Sequence, residues 1–160
     1  MTDAVDRLRQ LDQLLHACQT ARQVRASMNS MGKRWSRIAA IVAPDAPLVA
    51  AYKQALDSGQ MHGNPGIAAG LVLAAEGVPA AEAVSAYLMQ MANSMTQNAI
   101  RAIPLGQDTG QRVLVSAYPA VMEAAEATMR RTVADLGVVA PLLEIAQFQH
   151  EALRSRMFMS

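Results

Sequence analysis

The stretch QVRASMNSMGKRWSRIAAIV, Gln23 to Val42, decides the fold. Its apolar residues Val24, Met28, Met31, Trp35, Ile38 and Val42 return at steps of four and three. That spacing is the stripe of an amphipathic helix, and strand alternation does not appear in it. Upstream, the Thr20 hydroxyl is placed to cap the helix while Gln23 closes a capping box. Downstream, Pro44 ends it. The stripe, methionines included, is expected to face the core, although methionine-rich faces also serve adaptable interfaces.

The same periodicity extends in both directions. Val5, Leu8, Leu11, Leu15 and Cys18 mark an earlier helix. After a turn between Pro44 and Pro47, Leu48 to Leu56 reads as a short helix stopped by Ser58-Gly59. The glycine-rich stretch Gly59 to Gly66 reads as a loop. Ile67 to Glu76 is nearly all apolar and predicts a helix buried on most sides, stopped by Gly77. Pro79 suits a first helical turn, and Val84, Leu88, Met91, Met95 and Ala99 share one face of the helix that follows. Leu105 to Gly110 reads as a loop, with a helix after it to about Ala117. Another helix, started or kinked at Pro119, is predicted through Val133. Beyond Gly137 a final helix runs from about Pro141 to Arg154. The chain is therefore expected to be all-α, a single compact multi-helix domain.

Composition agrees. Of 160 residues, 52% are hydrophobic but only 4% aromatic, so Ala, Leu, Val and Met must fill the core, and Ala, Leu and Met favour helices. Fourteen basic residues nearly balance 13 acidic ones, which gives no global pull toward nucleic acid or a membrane surface. The N-terminal helices are locally basic, yet Arg22, Arg25, Lys33, Arg34 and Arg37 are spread around the helix, and aromatics for base stacking are scarce. A solvated face, or one meeting an acidic partner, fits them better. The single cysteine, Cys18, admits no intramolecular disulfide. The N-terminus has no signal-peptide pattern, and the longest apolar run, Gly66 to Ala75, is too short to span a bilayer. A cytoplasmic protein is expected.

Side-chain chemistry is thin. His16 and Cys18 fall on different faces of one helix, His62 lies in a loop, and His150-Glu151 lacks the second histidine of a zinc-protease helix, because position 154 is arginine. Packed or capping histidines are the plainer reading, although the sequence leaves their convergence in space open. Gly106 to Arg112 superficially suggests a phosphate loop. Its glycines are one residue too close together, and Gln-Arg stands where Lys-Ser/Thr is required. An interhelix turn, whose glycines supply unusual backbone angles, explains it better. A helical-bundle metal enzyme would want Glu-x-x-His pairs, and none occurs.

Two segments carry a family resemblance. Arg101-Ala-Ile-Pro-Leu-Gly-Gln-Asp-Thr-Gly-Gln-Arg112 resembles the R-x-I/V-P-L-G-Q-T-x-G-Q-R segment of UreF urease accessory proteins. Ile145-Ala146, His150-Glu151 and Arg154-Ser-Arg-Met-Phe-Met-Ser160 resemble that family's C-terminal ending. Leu11 to Arg37 is similar to a third region. The loop His62 to Gly70 departs from the family's H-x-P-V-A-F-G, and nothing resembles its N-terminal L-P-x-G-x-F-S segment. Residues 1–160 would thus be a UreF-like helical domain without the N-terminal family segment.

The resemblance implies a non-catalytic, dimeric scaffold that binds UreD (also called UreH), the GTPase UreG and apo-urease during nickel insertion. It implies no cofactor of its own, since nickel is handled by the complex and GTP by UreG. The partner-binding residues it implies are Pro104, Leu105, Gly106, Gln107, Gln111 and Arg112 in the first segment. In the second they are His150, Glu151, Arg154, Arg156 and Phe158.

Overall fold

The computed structural model describes residues 2–137 and 140–154. Among them are eight α-helices, one 3-10 turn and no strand, so the all-α expectation holds. In chain order the helices are α1 (Thr2–Cys18), α2 (Arg22–Val42), α3 (Pro47–Asp57), α4 (Pro65–Ala75), α5 (Ala80–Ala102), α6 (Gln107–Ser116), α7 (Tyr118–Met129) and α8 (Pro141–Glu151). They group into two compact units: one from the residues up to 77 together with those from 136 onward, the other from residues 78–135.

In the first unit the core forms around α3 and α4. Tyr52, Ala55, Leu56, Met61, Ile67 and Ala68 are buried, and Val5, Leu8, Leu11 and Leu15 of α1 pack against them. The α1 stripe is therefore the inward face that its spacing predicts. A second cluster joins Ala39 and Ala43 to Val49, with Leu71 and Val72 alongside. α4 is buried in its first half only, at Pro65 and Ile67–Ala69.

The stripe of α2 does not behave as expected. The residues that α2 buries are Gly32, Ser36 and Ala39. Met31, Trp35, Ile38 and Val42 are exposed instead. Close approach explains the difference. A Cβ on Gly32 would fall 2.3 Å from the Asn64 nitrogen and 2.4 Å from the Gly63 carbonyl carbon, so here the helix rests directly on main chain. Only small residues permit that distance, and they turn the large ones outward.

The start of α2 also differs. Its N-cap residue is Ala21, and no side chain caps it locally. The Thr20 hydroxyl donates instead to Glu144 of α8. The Gln23 backbone N–H donates to Glu151 Oε1 at 2.8 Å, and Arg22 lies 4.0 Å from the same carboxylate. Acidic groups from the far end of the chain thus satisfy an orphan amide and face the positive end of the helix dipole.

In the second unit α5 packs against α6 and α7. The segment predicted as a loop up to Gly110 is helical from Gln107, and Gly110 is buried against Ile100 and Thr96 of α5. α7 ends at Met129, short of Val133, which instead begins a 3-10 turn to Asp135.

Candidate functional site

The most ordered polar constellation joins α1, α3 and the loop before α4. The Asp12 carboxylate is almost wholly buried, and its two oxygens accept from the backbone N–H groups of His62 at 2.6 Å and Gly63 at 2.9 Å. The Tyr52 hydroxyl accepts from the Asn64 N–H at 2.9 Å. Burial, with the nearby Asp12 charge adding to it, pushes this phenol up to about 12. Gly63 holds φ at +104°, a conformation that side chains resist, and Asn64 then caps α4 by accepting from the Gly66 N–H. Two separate helices, α1 and α3, thereby fix one short loop.

The two nearest histidines meet across this loop. The rings of His16 and His62 stack with centroids 3.6 Å apart and planes 12° from parallel, and His16 Nδ1 lies 3.2 Å from Asn29 Oδ1. Ring nitrogens in parallel stacked planes do not converge on a shared point. His150 is elsewhere, with Nδ1 3.3 Å from Gln23 Oε1. Among the described residues no cluster of three or more His, Cys, Asp or Glu is placed to hold a metal ion. No helix of the described residues is long and apolar enough to cross a membrane. The loop is an arrangement of donors and acceptors satisfied from within, suited to holding backbone in place.

The segment Pro104 to Arg112 spans the end of one connection and the first turns of α6. Its glycines do not adopt unusual angles: Gly106 is the N-cap at φ −71°, and neither it nor Gly110 has positive φ. The reading of a glycine-shaped turn is therefore corrected. Gly110 is small because α5 is close, its Cβ position lying 2.3 Å from Ile100 Cδ1. With Gly110 and Leu114 turned inward, Gln107, Asp108, Gln111 and Arg112 form the outward face. Pro104 and Gly106 are exposed and Leu105 is half-buried. That face offers two amides, a carboxylate and a guanidinium fork, which together can give and receive hydrogen bonds with a partner.

At the other end, His150 and Glu151 contact the first turn of α2 through Gln23 and Arg22. Arg154 is exposed, whereas Arg156 and Phe158 lie outside the described residues. Sequence reasoning missed Asp12, Tyr52 and Gly32. The only available signals were an acid beside an apolar stripe and a glycine inside a helix.

Comparison with known proteins agrees with the sequence resemblance. The UreF family profile matches residues 1–118, a span that contains Arg101 to Arg112. The chain is 45% identical over 150 residues to "Urease accessory protein UreF" of Paenarthrobacter aurescens, covering 94% of this chain and 67% of that protein. Identity to the protein of the same name from Arthrobacter sp. (strain FB24) is 43% over 151 residues, with coverages of 94% and 67%. For its counterpart from Corynebacterium efficiens it is 38% over 157 residues, with coverages of 98% and 68%. The chain thus spans about two thirds of the length of the curated relatives it matches.

Proposed function

The chain belongs to the UreF family of urease accessory proteins, and from that premise we propose that it is a non-catalytic scaffold for GTP-dependent nickel insertion into urease. In this reading it works in the cytoplasm, as a dimer, in a complex with UreD/UreH and UreG that presents apo-urease for loading. Nickel is cargo and GTP is the substrate of UreG, so the chain needs no cofactor of its own. The observation that carries the proposal is the Arg101 to Arg112 segment: a family-like sequence whose polar residues Gln107, Gln111 and Arg112 form an outward face on a helix anchored at Gly110 and Leu114. Residues spent on the surface in this way serve recognition better than stability.

The test is nickel loading in a urease-producing host whose own UreF has been removed. Expression of this chain should restore nickel to urease. Arg112→Ala should lower the nickel content and weaken capture of UreG or UreD by the purified chain, with an unchanged melting temperature, because Arg112 is exposed. Failure to restore nickel with well-folded protein, or a fold that collapses in Arg112→Ala, would overturn the assignment of function or of site respectively.

A further inference from the structure

α2 presents two faces of different character. The inner one is the small-residue face of Gly32, Ser36 and Ala39. Roughly 100° around the helix lies the large apolar stripe. Val24 and Met28 in it are half-buried, while Met31 is 43%, Trp35 37%, Ile38 45% and Val42 53% exposed. The stripe ends at Val42 in a cleft of about 600 Å³ walled by Ala43, Pro47, Leu48 and Leu71. Its steps alternate strictly between four and three residues, a mean of 3.5. That period is the seam spacing of one helix laid along another.

Charge narrows the occupant. α2 carries Arg22, Arg25, Lys33, Arg34 and Arg37 and not one Asp or Glu. Arg22 faces Glu151, but among the described residues no carboxylate forms an ion pair with Arg25, Lys33 or Arg34. Arg37 meets only the more distant field of Asp57, which already pairs with Lys53. On the helical wheel Arg34 borders the stripe on its solvent side, whereas Arg37 lies about 140° from the centre of the stripe. A second copy docked face to face would set Arg34 against a helix that carries no acid, and like charges across an interface are strongly disfavoured.

We infer that the α2 stripe is the seat of an acidic amphipathic helix from a partner protein, with apolar residues at 3.5-residue spacing on Met31, Trp35, Ile38 and Val42, and Asp or Glu facing Arg34. Tryptophan, methionine and arginine are the residue types concentrated at the energetic centres of interfaces. The inference is independent of the scaffold reading and of the α6 face.

Trp35 is the single tryptophan of the chain, so its emission reports this site alone. The probe is a synthetic tryptophan-free helical peptide with leucine at the heptad seam positions and glutamate beside them. A second peptide carries lysine in place of glutamate. Titrated into the intact chain, the glutamate peptide should blue-shift Trp35 emission saturably, and the lysine peptide should not. The variant Arg34→Glu should lose about tenfold in affinity for the glutamate peptide and gain binding of the lysine peptide. Ile38→Asp should abolish both, with far-UV circular dichroism unchanged because Ile38 is exposed. Three results would overturn the inference. The first is no saturable shift, and the second is equal binding of both peptides. The third is a blue shift that depends on protein concentration alone, accompanies sedimentation as a dimer and vanishes in Ile38→Asp, which would give the seat to a second copy.

Discussion

Glycine inside a helix ordinarily costs about 1 kcal/mol relative to alanine, so on intrinsic preference Gly32→Ala should stabilise this protein. The structure reverses that sign. The new methyl would fall 2.3 Å from the Asn64 nitrogen, 2.4 Å from the Gly63 carbonyl carbon and 2.8 Å from the Asn64 Cα, all of them main chain. Comfortable contact begins at about 3.5 Å, so helix and loop must separate by roughly 1 Å. Overpacking of this kind costs about 1–3 kcal/mol. The displaced loop also carries the amides of His62, Gly63 and Asn64 away from Asp12 and Tyr52, loosening bonds worth about 1 kcal/mol each. After the propensity gain is deducted, the net loss is about 2–4 kcal/mol. Urea unfolding followed by Trp35 fluorescence reads this transition directly, since Trp35 lies on the same helix. Gly70→Ala supplies the contrast. It is also helical, but nothing lies within 4 Å of its Cβ position, so it should gain about 0.5–1 kcal/mol. A Gly32→Ala protein as stable as the parent, or more so, would refute the close-approach argument.

Three further outcomes are expected. Asp12→Ala removes both acceptors from two loop amides and should cost about 3–5 kcal/mol, with Asp12→Asn intermediate because one oxygen is lost; thermal melts measure both. The Tyr52 phenol, raised to about 12, keeps its proton in the folded chain at pH values where the unfolded chain has released it. Stability is therefore whole below pH about 10 and falls by up to about 3 kcal/mol as pH rises toward 12. Burial raises Tyr87 in the same direction, and denaturant melts at stepped alkaline pH should show a slope reduced, though not removed, in Tyr52→Phe. Gly110→Ala meets the far end of the Ile100 side chain rather than backbone; rotation of Ile100 should limit the loss to about 1–2 kcal/mol, smaller than that of Gly32→Ala.

The helices were legible because apolar spacing is a local property, and α1 points inward as its spacing demands. α2 was misread for a physical reason. Large apolar residues announce burial, but the tightest contact belongs to whichever face lets backbones approach, and Gly32, Ser36 and Ala39 were the quieter signal. The Thr20–Gln23 capping box gave way to Glu144 and Glu151, which no local window around residue 20 contains. Asp12 lay beyond local reading too, since its bonding partners are about 50 residues away. In the Pro104 to Arg112 segment the glycines suggested a turn. Only the position of Ile100 reveals that Gly110 is required for its size. The outward set Gln107, Gln111 and Arg112 was legible as a motif, but its placement on a helix was not.

The acids that cap α2 are made long after it. Thr20 and Gln23 leave the ribosome 124 and 128 residues ahead of Glu144 and Glu151. At synthesis rates of 5–20 residues per second, that is a wait of roughly 6–25 s. Throughout it a nascent chain can form α1 to α4 and settle the Asp12 clamp, while the first turn of α2 stays open to water. A whole intervening unit emerges before the latch arrives. The first unit is thus closed only after the second has been made, and a message cut short before α8 yields a helix that frays at its leading turn.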